Sequence, residues 1–429
     1  MAVSKSNDVS IGITSVFMKL VGLWMASDRA EQRVRDCTFI YTLVAILFAV
    51  WVQVRGIYYS WGDFSACIFN ACNILSTAVP LFKIIVLFVH RKDFFRLILY
   101  IQEKFLQAEY DDYERKIVMD CKRKCTFFVC LLMFSTKGTL ICYIINPLSQ
   151  IDCMLDTRKN GVSISLLITN IGKNESDREL PFNMWIDSLT LSPYFELAFV
   201  VQTLSLYHIG VSYFCFDNFL CIMNLHVASQ FRILQYRMAK MADLMSRGKR
   251  EKDEKLAMSS SSFARKSYVM FKQHVRQHQT LIAYCEKLEK VFNLIVLVQV
   301  LTFSLLICLD GYQVLTPEFP TRRRLIFTFH LSAALSQLLM FTYSCDCIIR
   351  ESMSVALAVY SGPWPLLPAT TSGRMMRKDL TLVIMRSGSP CCLTARGFFV
   401  VSLETYTGVL STAVSYFTLL KHRGEAINS

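Results

Sequence analysis

A chain of 429 residues that is 53% hydrophobic, 13% aromatic and only 18% charged is too apolar for a soluble globular protein. Its apolar residues fall in blocks of about 20, the length that crosses a hydrocarbon core of about 30 Å. The formal net charge of +13 sits in no soluble domain with nucleic-acid motifs. Nucleic acid is therefore excluded as a partner, and the basic loops are read as facing anionic lipid headgroups.

In lipid, a helix satisfies its own backbone where an open sheet cannot, so the fold class is all-α integral membrane. Residues 1–36 carry an apolar stretch, 11–25, read as a helix lying at the interface. Lys19 lies within this stretch and no convincing cleavage site follows, so no cleavable signal peptide is expected. Spans are expected at 37–56 and 65–90, then a basic amphipathic stretch to 125 and a third span at 126–146 ended by Asn146-Pro147. A polar outer loop, 147–192, holds the N-glycosylation sequon Asn174-Glu175-Ser176. Ser192-Pro193 reads as a helix start, with serine capping and proline in the first turn. The apolar block from 193 to 231 is longer than one span, so its helix is expected to project beyond the bilayer.

A basic inner loop follows at 232–290, where the run Ser259–Ser262 reads as linker and His274 and His278 as solvated surface. Spans five and six are placed at 291–311 and 325–349. The connector 350–396 contains a charged helix, 374–386, with Asp379 as a solvated charge. A seventh span runs from 397 to 420, and a short tail, 421–429, ends the chain.

Orientation follows from basic residues. With the N-terminus inside, 34 of the 46 Lys and Arg lie in cytoplasmic segments, nine lie outside and three (Arg55, Lys83, Lys137) within spans. The positive-inside rule therefore predicts a cytoplasmic N-terminus, an extracellular C-terminus and an outward-facing Asn174. The triplet Arg322-Arg323-Arg324 runs against the rule locally. Lys137, mid-span, costs at least about 2.5–3.5 kcal/mol there. It is expected to face a cavity or a partner, with a structural contact or a span that starts later as the alternative.

The cysteines suggest reduced thiols. Cys121 with Cys125, Cys345 with Cys347, and Cys391-Cys392 show no complete zinc-ligand set beside them. No metal and no cofactor are expected. Neither HExxH nor GxSxG occurs in a span, so no catalytic residues are expected. The last span carries Glu404, Gly408, Ser411, Ser415, Leu419 and His422 within about 80° of one another at helical pitch. Such a stripe lines water or packs against another helix.

A second stretch carries more. Tyr360 and Trp364 are followed by Arg377-Lys378 with Leu380, then Met385-Arg386-Ser387, Pro390 and Leu393-Thr394. Ser402-Leu403-Glu404-Thr405 and Ser415-Tyr416-Phe417-Thr418-Leu419-Leu420 close it. These residues and spacings resemble the signature of the insect odorant receptor family. The spacer Ser361-Gly362-Pro363 departs from that pattern. The Thr-Tyr…Gln-Phe ending of the related gustatory receptors is missing.

The resemblance implies a subunit of a tetrameric, ligand-gated, non-selective cation channel, paired with the odorant co-receptor in the plasma membrane of olfactory dendrites. It implies that 397–420 lines the pore, narrowed by Leu419 at the outer mouth near His422, with Glu404 at the inner end where an acidic ring favours cations. It implies that the helix in 350–396 is a cytoplasmic anchor, and that a small volatile binds in the outer half of 37–349. Outer-half positions at helical spacing there are Phe69, Asn73 and Thr77, then Phe134, Lys137 and Gly138. Phe195, Phe199, Thr203, Phe327 and His330 complete the set.

A G-protein-coupled chemoreceptor is the alternative. The opposite topology, the lack of Asp/Glu-Arg-Tyr after the third span and of Asn-Pro-x-x-Tyr in the seventh argue against it. A transporter is disfavoured because no matching halves with broken helices are visible.

Overall fold

The computed structural model describes residues 9–24, 28–145, 180–182, 184, 191–250, 258–316, 319–362 and 371–428, the side chains of 145, 242–250, 258–264, 322 and 420–428 excepted. Ten α-helices account for nearly all of these. They are α1 (Val9–Leu20), α2 (Arg29–Tyr59), α3 (Phe64–Val89), α4 (Arg91–Tyr100), α5 (Asp112–Ile145), α6 (Tyr194–Arg250), α7 (Met258–Leu315), α8 (Thr321–Tyr360), α9 (Thr371–Ser387) and α10 (Leu403–Asn428). A π-helical turn, Ile101–Leu106, extends α4.

Helix α6 is the centre. It packs against α1, α2, α3, α5, α7 and α8. Residues 211–231 are buried without a break, polar ones such as Asp217, Asn218, Asn224 and His226 included. The helix expected to exceed one span is 57 residues long. It begins at Tyr194, so Ser192 is not its cap; the Ser192 hydroxyl reaches Glu196 Oε1 at 3.0 Å instead.

Six described helices, α2, α3, α5, α6, α7 and α8, are long and apolar enough to cross a bilayer. The expected seventh, α10, spans 26 residues. Its Glu404, Gly408, Ser411, Thr412, Ser415 and Thr418 make it more polar than the other six.

Several loop expectations are corrected. The 232–290 segment is helical on both sides, since α6 runs to Arg250 and α7 begins at Met258. The run Ser259–Ser262 falls in the first turns of α7 and is not a linker. His278 is buried, with its ring 6.2 Å from that of Phe231, and is not solvated. Helix α9 buries Met376, Leu380 and Val383 against α7 and α8, and Asp379 accepts a 3.0 Å hydrogen bond from Tyr268. The N-terminal helix does not simply lie on the membrane. Ile11 and Met18 of α1 are buried, and Phe17 meets Phe214 of α6 edge to face at 5.0 Å. Trp24 just beyond it wedges between Phe95 and Phe219.

One polar knot lies inside the bundle. Lys83 of α3 and Asp217 of α6 pair at 2.7 Å, with side chains only 1% and 2% exposed. Gln299 of α7 donates to the same carboxylate oxygen at 3.0 Å, and Gln337 of α8 donates to it as well. Gln337 also donates to the Tyr213 carbonyl at 3.0 Å. Four helices therefore converge on one carboxylate.

Removing the lysine alone strands that carboxylate. Lys83→Met is expected to cost about 3–5 kcal/mol, and Lys83→Met with Asp217→Leu to regain most of the loss. Melting of solubilised protein, read by fluorescence-detected size exclusion, checks this. Equal stability of the single variant and the parent would sink the idea.

Candidate ligand-binding site

Small polar side chains placed mid-helix open a cavity on one side of this knot. Gln53 of α2, Asn73, Ser76 and Thr77 of α3, and Thr136, Thr139 and Tyr143 of α5 form three walls. Leu206, Ile209, Gly210 and Tyr213 of α6 with His330 and Ala333 of α8 close the rest around a cavity of about 80 Å³. Phe182 covers one end, held to Gln202 of α6 by paired hydrogen bonds of 2.9 and 3.0 Å.

The wall hydrogen-bonds to itself in part. Gln53 Nε2 donates to Thr77 Oγ1 at 3.1 Å, Thr77 donates to the Asn73 carbonyl at 2.8 Å, and Tyr143 donates to Asn73 Oδ1. Four buried atoms on the wall have no hydrogen-bond partner among the described residues: Gln53 Oε1, Asn73 Nδ2, Thr136 Oγ1 and the Tyr213 hydroxyl. Leaving such an atom unmet costs about 1–3 kcal/mol. The cavity therefore suits a ligand that is mostly apolar and carries a donor or an acceptor.

His330 links the cavity to a buried acid. One ring nitrogen lies 2.8 Å from Ser76 Oγ and the other 2.8 Å from Asp310 Oδ2. The order Ser-His-Asp resembles a nucleophile relay, but Ser76 donates to the Cys72 carbonyl at 2.7 Å. Ser76 also lies in mid-helix, where the helical ladder uses the backbone N–H groups that an oxyanion hole needs. The arrangement is not built for acyl transfer.

Asn73, Thr77 and His330 are the sequence-predicted residues that meet on this wall. The others lie elsewhere. Phe134 is 71% exposed on the outer face of α5, and Lys137, expected to face a cavity or a partner, is exposed too and not on the cavity wall. Gly138 packs under α8, where an added Cβ would stand 2.5 Å from the Phe329 ring. Phe195 and Phe199 are core residues beside Ile144. Phe69 and Phe327 pack edge to face at 5.6 Å in a small cluster with Ile68, Cys72 and Tyr312. Thr203 is not on the wall. Sequence reasoning favoured aromatics and so missed Gln53, Ser76, Thr136, Thr139, Tyr143 and Tyr213. The signal was there, since Thr136, Thr139 and Tyr143 repeat at three and four residues along one face of α5.

Arg323 gains a reason to break the charge rule. It donates to Gln313 Oε1 at 2.8 Å and to the Ser65 carbonyl at 2.6 Å, and lies over the Phe69 and Phe319 rings. It ties the ends of α3, α7 and α8 together.

The stripe on α10 is resolved in one respect. Val409 and Ala413 are buried against the bundle, and α10 packs on α7 and α8. Glu404, Gly408, Ser411, Ser415 and Leu419 all face away from it, Leu419 being 62% exposed. Among the described residues, nothing packs on this face. A groove with about 1480 Å³ of empty space runs along the base of α10 past Ser304, Asp346, Glu404 and Gly408. The side chain of His422, and Asn174 with its sequon, lie outside the described residues.

Known proteins resemble this chain in sequence and fold. The family model described as 7tm Odorant receptor matches residues 63–414. Odorant receptor 13a of Drosophila melanogaster is 23% identical, the match covering 96% of this chain and 95% of the relative. Odorant receptor 10 of Aedes albopictus is 25% identical over 61% of this chain and 65% of its own. The solved insect olfactory receptor OR5 from Machilis hrabei superposes with a TM-score of 0.74 at 13% identity, covering 96% of this chain and 97% of that one. The same receptor in complex with eugenol gives 0.75.

The close approach of α5 and α8 can be tested at Gly138. Gly138→Leu is expected to lower stability by about 1–3 kcal/mol through overpacking, and Phe329→Ala in the same chain to relieve much of it. Melting curves that do not separate Gly138→Leu from the parent would contradict the contact.

Proposed function

Because this chain belongs to the odorant receptor family, whose model spans most of its length, we propose that it is the odorant-binding subunit of a heteromeric, ligand-gated, non-selective cation channel. It is a multi-pass membrane protein with six long apolar helices; the finer roles that follow are our reading. The subunit acts with the odorant co-receptor in the plasma membrane of olfactory dendrites. Its N-terminus is cytoplasmic and its C-terminus extracellular, on the strength of the basic residues. Asn174 is then on the outside, and α9 is a cytoplasmic anchor helix.

The observation that carries the channel reading is the exposed polar face of α10. Glu404, Gly408, Ser411, Ser415 and Leu419 form one unpartnered line on a helix otherwise held by Val409 and Ala413. In a ring of subunits that line faces the axis. Leu419 then narrows the outer mouth, and Glu404 near the inner end favours cations.

The odorant occupies the cavity between α2, α3, α5, α6 and α8. Its unmet polar atoms, Gln53 Oε1, Asn73 Nδ2, Thr136 Oγ1 and the Tyr213 hydroxyl, support a small volatile with a hydroxyl or carbonyl group. A solved receptor of the same fold is recorded in complex with eugenol.

Co-expression with the co-receptor, current recording and an odorant panel test the proposal. A ligand-gated current is expected, with a C-terminal tag that stains intact cells. Ala333→Trp, which fills the cavity, is expected to lower the response at least about tenfold, the effect of a 1.4 kcal/mol loss in binding. Leu419→Ala is expected to raise ligand-independent current, and Phe134→Ala, outside the cavity, to leave the odorant ranking unchanged. No current with any odorant, or a tag that stains only permeabilised cells, would overturn the channel reading. A response untouched by Ala333→Trp in receptors that reach the surface would remove the ligand from this cavity.

A further inference from the structure

The sequence offers no third ligand near Cys121 and Cys125, but the fold supplies one. These cysteines are four apart on α5, on one face of the helix. Helix α6 brings His226 to them. The two Sγ atoms and a ring nitrogen of His226 all lie within 4.8 Å of one another, and all three residues are buried. In a tetrahedral zinc site, Zn–S bonds of about 2.3 Å and Zn–N bonds of about 2.0–2.1 Å put ligand atoms roughly 3.5 Å apart. Small side-chain rotations close the difference.

We propose that Cys121, Cys125 and His226 bind one Zn²⁺ and so cross-brace α5 to α6. Three chemical arguments support zinc. Two thiolates and an imidazole are a borderline-soft set that suits it. Zn²⁺ displaces two thiol protons, which leave to solvent, and the resulting complex is neutral, as a buried site requires. The odorant reading places this part of α5 toward the cytoplasm, where thiols stay reduced; only that clause depends on it.

The fourth position has a source. Cys121 also lines a side cavity of about 50 Å³, whose walls carry Ser229, Cys347, Glu351, Arg232 and Asp120 paired with Lys124. The cavity gives zinc a way in and room for a water as the fourth ligand. The Ser229 hydroxyl donates to the His226 carbonyl at 2.7 Å and holds this part of α6 in place. The site lies apart from the odorant cavity, with which it shares no lining residue.

The full-length protein, solubilised under a non-thiol reductant, is incubated with ZnCl₂, desalted and measured by elemental analysis beside size exclusion. One zinc per chain is expected to survive desalting. Cys121→Ser, Cys125→Ser and His226→Gln are each expected to bring it to background while the protein stays monodisperse. Cobalt in place of zinc is the second measurement, on the unmutated chain, and decides the matter should a variant fail to fold. Intense thiolate-to-cobalt absorption is expected. Zinc no higher than in the buffer, full zinc retained in all three variants, or a cobalt spectrum without a thiolate band would each overturn the site.

Discussion

The pairing of Lys83 with Asp217 is the constraint on which the bundle depends. Neither charge is tolerable alone at its depth, and each makes the other affordable only with fixed geometry and further hydrogen bonds. Asp217 can be satisfied only if α3 delivers a cation, α7 delivers Gln299 and α8 delivers Gln337 to one side of α6. Apolar packing alone allows helices to slide and rotate by small steps. A shared carboxylate does not, so the knot fixes the register of four helices. The cavity borders it directly, because Tyr213, one turn before Asp217, forms part of the cavity wall.

The same knot brings the cavity near the last helix. Gln299 of α7 reaches Asp217, while Val300, Leu301 and Ser304 on the next turn border the groove beside Glu404 and Gly408 of α10. One short piece of α7 thus touches both the polar core and the base of α10. This is a contiguous physical route from a ligand at Tyr213 to the last helix. Contiguity supplies a route and not a coupling energy, since coupling is a property of two states.

The fold was legible wherever one residue's chemistry decided the matter. Blocks of about 20 apolar residues mark spans in any lipid, and the overlong block from 193 to 231 marks a helix longer than one span. The site was harder for a definite reason. Lys83 was visible as a charge within a span, but its partner lies 134 positions away, and nothing local in the sequence pairs them. Cys121 and Cys125 were visible as a pair, whereas His226 joins them only because α6 crosses α5 there. Position along a helix was readable, but the direction of a face was not. Phe134 and Lys137 are one step round α5 from Ser135, Thr136 and Thr139, and that step separates the outer surface from the cavity. Aromatic residues are ordinary packing material in a membrane bundle, as Phe195 and Phe199 show. Small hydroxyl residues in mid-span are the better guide to a cavity, since they leave space and polar atoms together.

The stripe on α10 shows why one residue there outweighs the rest. Its hydroxyls do not require water. Thr407, Thr412, Ser415 and Thr418 bond back to carbonyls three or four residues earlier, at 2.8–3.0 Å, and in that state face lipid at little cost. Gly408 is equally at ease against lipid or another helix. Glu404 has no such escape. Its carboxylate is exposed, and no ion pair reaches it among the described residues. A carboxylate needs water, a cation or a partner subunit. The hydroxyls mark which face of α10 is turned outward from the bundle; Glu404 is what argues that at its N-terminal end this face meets water or cations rather than lipid.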